Sequence, residues 1–336
     1  MKPSLSVVII GRNEGARLSR CLGSVRAATA TLRDVEILYV DSQSTDDSVE
    51  RARAFGARVL PLPAGPLAAA RGRNAGWRAA SAAAVLFLDG DTVLAPDFVG
   101  RALPLLQDDR LAVVCGQRRE LHPRASLYQL VLDLDWIGPV GDTEACGGDA
   151  LIRRTALEEV LGYDEALIAG EEPELCARLR QRGYRIHRLD TVITWHDLAM
   201  TRWRQYWSRA VRTGHAYAEV SARLRHTSTP LWRAEARRNA MHALGLVGVV
   251  VGAALLSGVA GTVVPVAAAA GLLGALVLRT ARRWRRKSGD ASTSLIYGLH
   301  SHLQQLPIFW GQLTYWSHRL RGRRRPLIEY HGGGSR

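Results

Sequence analysis

Two carboxylates one residue apart, Asp89 and Asp91, lie in the segment "LFLDGDTVLAPDF" directly after an apolar run with the pattern of a buried strand. Side chains at i and i+2 of a strand point to the same side, so both carboxylates can converge on one cation. Hard carboxylate oxygens suit Mg2+ or Mn2+. Asp and Gly are also ordinary turn residues, and "DGD" taken alone is equally a turn. A second acidic group, Glu171, Glu172 and Glu174 in "GEEPELCARL", surrounds Pro173 and suits the positive end of a helix dipole.

The elements that must position these groups alternate. "LSVVII" and "VEILYV" are short β-branched apolar runs, each followed by a helical pattern, over Glu14 to Ala28 and in "SVERARAFG". A possible third strand around Arg58 to Leu60, an alanine-rich helix across Ala68 to Ala83 and the strand "AVLFLDG" follow. The βαβαβαβ order predicts an α/β domain with a mostly parallel central sheet, whose ligands sit at the carboxyl ends of the strands. Gly11 to Glu14, Asp41, and Asp89 with Asp91 all fall at such ends.

Six segments in this order, "SVVIIGRNEGARLSRCLGSV", "YVDSQSTDDSVE", "ARGRNAGWRAA", "FLDGDTVLAPDF", "GGDALIRRTALEEVLGYDEAL" and "GEEPELCARLRQRGYRI", resemble the motifs of family 2 glycosyltransferases, inverting enzymes of the GT-A fold that use nucleotide-sugar donors. The resemblance covers about residues 5 to 190 and implies roles. Ile10, Asn13 and Glu14 would line the donor site, Asp41 would accept a hydrogen bond from the donor's base, and Arg73 would help hold the nucleotide. Asp89 and Asp91 match the Asp-x-Asp that holds a divalent ion, Mg2+ or Mn2+, on the donor diphosphate, where the ion offsets charge developing on the leaving group. Glu172 stands where the family places an aspartate base, one methylene longer, with Glu171 as the rival and Glu174 as the motif's second acid. Gly147 and Gly148 would let backbone approach the donor sugar and Asp149 would reach its hydroxyls, although a plain glycine turn fits the same residues. His196, after a short apolar run, is either a third metal ligand, a diphosphate contact or a structural histidine.

Composition sets the surroundings. The 336 residues carry a formal net charge of +14, and Lys2 and Lys287 are the only lysines. Such a balance suits a phosphate-rich or membrane-surface partner. The arginines gather around an apolar stretch instead of on a groove-reading motif, so no nucleic acid partner is expected. Cys21, Cys115, Cys146 and Cys176 lack the spacing of a zinc site or disulfide framework and read as reduced, buried thiols of a cytoplasmic compartment. The apolar run before Gly11 is far shorter than a signal-peptide core, so nothing is expected to direct this end out of the cell.

The last third of the chain changes solvent. Ala240 to Leu278 is a 39-residue span without Asp, Glu, Lys or Arg. As one helix it would run about 58 Å, nearly twice a bilayer's roughly 30 Å core, so it must fold back, and "SGVAGT", Ser257 to Thr262, divides it. Arginines flank both ends, which by the positive-inside rule puts both in the cytoplasm. A buried soluble hairpin is the other reading. Within "TWHDLAMTRWRQYWSRAVRTGHAY", arginines interleave with Trp203, Tyr206 and Trp207 as in an interfacial helix. "SLIYGLHSHLQQLPIFWGQLTYWSHRL" is read as lying along the membrane with Trp310, Tyr315 and Trp316 at headgroup depth.

The expected division is therefore residues 1–225 as GT-A catalytic domain and 226–239 as a basic linker or interfacial helix. Residues 240–279 form a transmembrane hairpin, and 280–336 a cytoplasmic basic segment, interfacial helix and tail. The chain is expected in the inner membrane, multi-pass, with the catalytic domain cytoplasmic, moving a sugar from a UDP- or GDP-sugar to a lipid-linked acceptor in surface polysaccharide or glycolipid synthesis. A processive synthase subunit is an alternative that the absent Gln-x-x-Arg-Trp disfavours, and a non-catalytic nucleotide-sugar-binding scaffold is another.

Overall fold

The computed structural model describes residues 3–322, so the basic cluster and tail expected beyond Gly322 lie outside the described residues. These residues form two compact units. The first runs to His122 and adds Asp135–Ala199 and His226–Leu231; the second comprises Pro123–Leu134, Met200–Arg225 and the chain from Trp232 onward.

The first unit opens as the pattern predicts, with β1 (Leu5–Gly11), α1 (Ala16–Ala28), β2 (Val35–Asp41), α2 (Ser48–Ala54), β3 (Arg58–Pro61), α3 (Ala69–Ala79) and β4 (Ala84–Asp89). There follow β5 (Thr92–Leu94), α4 (Phe98–Ala102) and β6 (Leu111–Glu120), then α5 (Leu127–Asp135), most of which belongs to the second unit. The first unit closes with β7 (Gly141–Asp142), β8 (Ala150–Arg153), α6 (Arg154–Glu159), α7 (Glu171–Gln181) and β9 (Arg185–His196). The sheet order is β3-β2-β1-β4-β8-β6-β9-β5, with β7 also on β9. From β3 to β4 every pairing is parallel. Beyond β4 the sheet is mixed, because β8 runs antiparallel to both β4 and β6 while β6 and β9 are parallel.

Alternation along the central strands builds two apolar layers. Val7, Ile9, Leu86 and Leu88 meet Leu18, Leu22 and Val25 of α1 and Phe98 of α4. Val8, Ile10, Val85 and Phe87 meet Trp77 of α3, Leu157 of α6 and Leu175 and Leu179 of α7. With both faces covered, the open chemistry is pushed to the strand ends, where the order turns at β1 and β4.

The second unit contains α8 (Trp203–Leu224), α9 (Arg233–Ala260), α10 (Val264–Ser288), α11 (Ala291–Leu303) and α12 (Gln305–Leu320). α9 and α10 are long and apolar enough to cross a membrane, and only 11% and 6% of their apolar windows are buried. A core helix of that composition would be mostly covered. The reversal falls at the end of "SGVAGT": Ser257 to Ala260 remain helical and Gly261, at φ 62°, makes the turn. The basic flanks are helical too, since α9 starts at Arg233 and α10 continues to Ser288, where Gly289 at φ 81° ends it. Arginine is a good helix former and no breaker intervenes.

α11 buries polar side chains together with Tyr297 and exposes leucines. Thr293, Ser294 and His300 are buried, and the Tyr206 hydroxyl of α8 lies 2.7 Å from His300 Nδ1. Leu295, Leu299 and Leu303 are exposed in a line. α8 and α12 touch through glycines, because a Cβ on Gly214 would overlap the Ile308 carbonyl and one on Gly311 the Val211 carbonyl. Tyr315 is buried against His215, which corrects its expected headgroup position, while Trp310 and Trp316 are exposed.

Candidate functional site

The carboxyl ends of β1 and β2 are tied together by side chains. Asn13, in the left-handed region at φ 56°, accepts the Thr45 N–H at 2.7 Å, and its own N–H donates to Ser44 Oγ at 2.9 Å. Asp41, buried at the end of β2, accepts the Ser44 N–H at 3.0 Å and the Tyr39 hydroxyl at 3.3 Å. Ile10 is buried beneath Gly72 of α3. Glu14 follows, its carboxyl pushed up to about 7 by burial against the opposing pull of Arg17, 2.9 Å away.

At the end of β4 lie Asp89, Asp91 and, from the end of β9, His196, with ligand atoms all within 4.8 Å of one another. The antiparallel pairing that sets Thr92 opposite His196 brings the histidine there, and the Trp136 ring stands edge-on to it at 5.3 Å. His196 Nε2 is 3.3 Å from Asp91 Oδ2. Asp91 Oδ1 is buried without a hydrogen-bond partner among the described residues. Burial, with Glu14 and Asp89 close by, pushes the Asp91 carboxyl well above its usual range. An unsatisfied buried carboxylate oxygen beside an imidazole and a second carboxylate is a donor set that fits a hard divalent cation.

Asp89 is engaged differently. Its Oδ1 accepts from Arg73 at 2.9 Å and its Oδ2 from Arg118 at 2.7 Å. Burial raises its carboxyl, but the two guanidiniums outweigh this and hold it below the usual carboxylate range. Asp149, expected to reach sugar hydroxyls, is instead buried with its acceptors taken by the Asp89 N–H, Arg118 and Thr194 Oγ1 at 2.6 Å. It orders Arg118 and the end of β4.

Arg73, buried on α3, links this group to the start of α7. Its Nη1 lies 3.0 Å from Glu171 Oε1 and 2.9 Å from Glu172 Oε1. Burial, with the neighbouring Glu171 charge, pushes Glu172 up to about 7 against the pull of Arg73. Gly170, at φ 84°, starts α7 and aims both carboxylates inward. Glu174 turns away into a two-point ion pair with Arg178, which also donates to the Gly162 carbonyl. Gly148 packs close to the site: a Cβ there would overlap Arg73 Nη2 and stand 3.2 Å from Glu172 Oε1, so a side chain would displace that guanidinium. Nothing crowds Gly147.

Two residues of this network escaped the sequence reading. Arg118 carried a signal, as the first of two arginines after the apolar run "LAVVCG", a strand-end position like that of Asp89. Asn74 carried none. Its Oδ1 accepts from Trp77 Nε1 and the Tyr163 N–H, both at 2.9 Å, and its Nδ2 donates to the Tyr163 carbonyl and Glu165 at 2.8 Å, pinning the loop that leads to α7. Asn74→Ala leaves two buried donors unmet, so stability should fall by about 1–3 kcal/mol for each. A urea midpoint equal to that of the unaltered protein would show that the loop is held by other means.

Residues 6–161 match the family model described as Glycosyl transferase family 2. The chain is 25% identical to the glycosyltransferase AglE of Haloferax volcanii, over 58% of this chain and 67% of that protein. It is 27% identical to the pre-mycofactocin glycosyltransferase of Mycobacterium tuberculosis, over 68% of this chain and 49% of that one, and so spans about half of that relative's length. Among solved structures it is similar to the mannosyltransferase PcManGT from Pyrobaculum calidifontis in complex with GDP-Man and Mn2+, with TM-score 0.66 and 19% identity over 89% of this chain and 88% of that one. At that identity the shared property is the fold.

Proposed function

We propose that the chain, whose residues 6–161 match the family 2 glycosyltransferase model, is a metal-dependent inverting transferase that moves a sugar from a UDP- or GDP-sugar to a lipid-linked acceptor at a membrane. The observation that carries the reaction is the Arg73 guanidinium, which lies 2.9 Å from both Asp89 and Glu172 and so sets the cation-binding and proton-accepting groups one side chain apart.

Asp91 and His196, with Asp89 behind them, would hold the ion, and a bound Mg2+ or Mn2+ supplies charge stabilisation to the departing nucleoside diphosphate. Asp41 and Asn13 order the loops at the ends of β1 and β2 where the base and ribose would rest. Glu172 takes the proton of the acceptor hydroxyl as that oxygen bonds to the anomeric carbon. The bond from that carbon to the diphosphate oxygen breaks on the opposite face, and the configuration inverts. A carboxyl near neutrality is suited to the task, because it is partly ionised yet still basic.

The membrane part of the proposal rests on the exposed apolar lengths of α9 and α10 and on α11, which buries Thr293, Ser294 and His300 and exposes leucines. Unsatisfied polar groups are costly in hydrocarbon, so this arrangement suits a lipid-facing helix. At 13 and 16 residues α11 and α12 are about 20–24 Å long, shorter than a bilayer core, which suits helices lying along its surface. Lysine-poor, arginine-rich flanks would remain on the cytoplasmic side of an inner membrane.

A thermal screen of nucleotide sugars tests the donor. At about a hundred times its Kd a true donor with Mn2+ stabilises by about 2.7 kcal/mol, raising Tm by roughly 5–10 °C. No shift with any UDP- or GDP-sugar would count against the donor. With the donor found, equal rates on a free soluble sugar and on a lipid extract would count against the lipid-linked acceptor.

A further inference from the structure

Three of the four cysteines meet in one buried cluster: Cys115 of β6, Cys146 in the loop before β8 and Cys176 of α7. All are free thiols, and Cys146 Sγ lies 3.6 Å from Cys176 Sγ. The proposed reaction uses neither. Their places in the chain are specific. Cys146 lies two residues before Gly148, beside which Arg73, Asp89 and Glu172 stand. Cys176 stands one turn after Glu172 on the same face of α7.

We propose that Cys146 and Cys176 are a modification site, a dithiol that a peroxide converts to a disulfide, moving the Gly148 backbone and thereby switching off the base. This rests on the assignment of Glu172 given above. The step balances: the Cys146 sulfur attacks one peroxide oxygen, the O–O bond breaks, and the other oxygen leaves as water, giving a sulfenic acid. The Cys176 sulfur then displaces that hydroxyl as a second water. Two thiols lose two electrons in total, and hydrogen peroxide is reduced to two waters.

Bonded sulfurs stand about 2.05 Å apart, so the pair must close by about 1.5 Å. α7 is anchored by Leu175 and Leu179, both fully buried, whereas Cys146 sits in a loop beside two glycines. The loop is therefore the part that moves. Gly148 has no slack toward the site, since even a Cβ there would overlap Arg73. The mutual hydrogen bond and burial push the Cys146 thiol well above its ordinary pKa, so little thiolate is present and the pair yields only to a high dose of peroxide.

The test uses the full chain treated with hydrogen peroxide, free thiols then being alkylated and the digest weighed. A Cys146–Cys176 cross-linked peptide, lighter by two hydrogens, is expected. Donor turnover should fall with its appearance by about 10²-fold, as for a misplacement near 1 Å, and return on adding dithiothreitol. Cys146→Ser and Cys176→Ser should keep their unoxidised turnover and resist the same dose. Should either variant fail to fold, the parallel time courses of cross-link and turnover in the unaltered protein decide the matter. Absence of the cross-linked peptide overturns the proposal, as does a complete cross-link with full turnover, or variants that lose turnover to peroxide equally. The cross-link is read by mass alone, so a protein that forms it yet transfers no sugar when reduced would fail the functional assignment and not the site.

Discussion

Asp91→Asn is expected to lower turnover by about a hundredfold or more and to abolish the Mn2+-dependent part of donor binding, while leaving the unliganded protein at least as stable as before. The loss follows from removing the charge that would hold the cation, a contribution of several kcal/mol to the departing diphosphate. The opposite sign on stability follows from the setting. Asp91 is buried beside Glu14 and Asp89, and its Oδ1 has no partner among the described residues, so its ionised form is disfavoured until a cation arrives. Asparagine keeps the size and removes the repulsion. The pairing of lost turnover with an undiminished melting temperature separates a ligand from a structural residue. Full turnover of this variant in EDTA would defeat the assignment.

Glu172→Gln is expected to keep donor binding and lose transfer by about 10²-fold or more, since the amide cannot accept the acceptor's proton. The unaltered enzyme should show a rising limb in kcat/KM centred near pH 7, because the base works only when ionised and its carboxyl in the free protein is raised from 4.5 to about 7. The same shift affects stability with a definite sign. A folded-state pKa above the unfolded value means that the folded protein holds the proton more tightly, so the contribution is complete below about pH 4.5 and is lost as pH rises through about 7. Glu172→Gln should remove that decline along with the activity. If Glu171→Gln produces the large loss and Glu172→Gln remains active, the base is the earlier glutamate.

The parallel half of the sheet was legible because each of its strands is a local run followed by its own helix, from Leu5 through Asp89. The other half was not. β8 inserts between β4 and β6 although it lies far from both in sequence, and β6 pairs with β9 through shifted registers that no alternation pattern announces. The site shows the same contrast. Asp89 and Asp91 are visible as neighbours in a strand, whereas Arg73 meets Glu171 across 98 residues and Arg118 meets Asp89 across 29. In the helical unit, the mix of aromatic and polar residues in "SLIYGLHSHLQQLPIFWGQLTYWSHRL" pointed to a segment lying along the membrane. It could not show that Leu295, Leu299 and Leu303 face outward, because periodicity fixes the angle between faces and not which one is covered.

The charges around Arg73 also dictate an order of arrival. Asp89, Asp91, Asp149, Glu171 and Glu172 crowd around Arg73 and Arg118, with Arg17 a further cation acting on Asp91, an acidic hollow in a protein of net charge +14. A bare diphosphate entering it meets its own sign at a distance where low dielectric leaves the repulsion strong. The nucleotide sugar should therefore enter already chelated, so that saturation follows the concentration of the cation–donor complex instead of either component. Excess free nucleotide would then be a poor competitor, and product would leave fastest as a complex with the same ion.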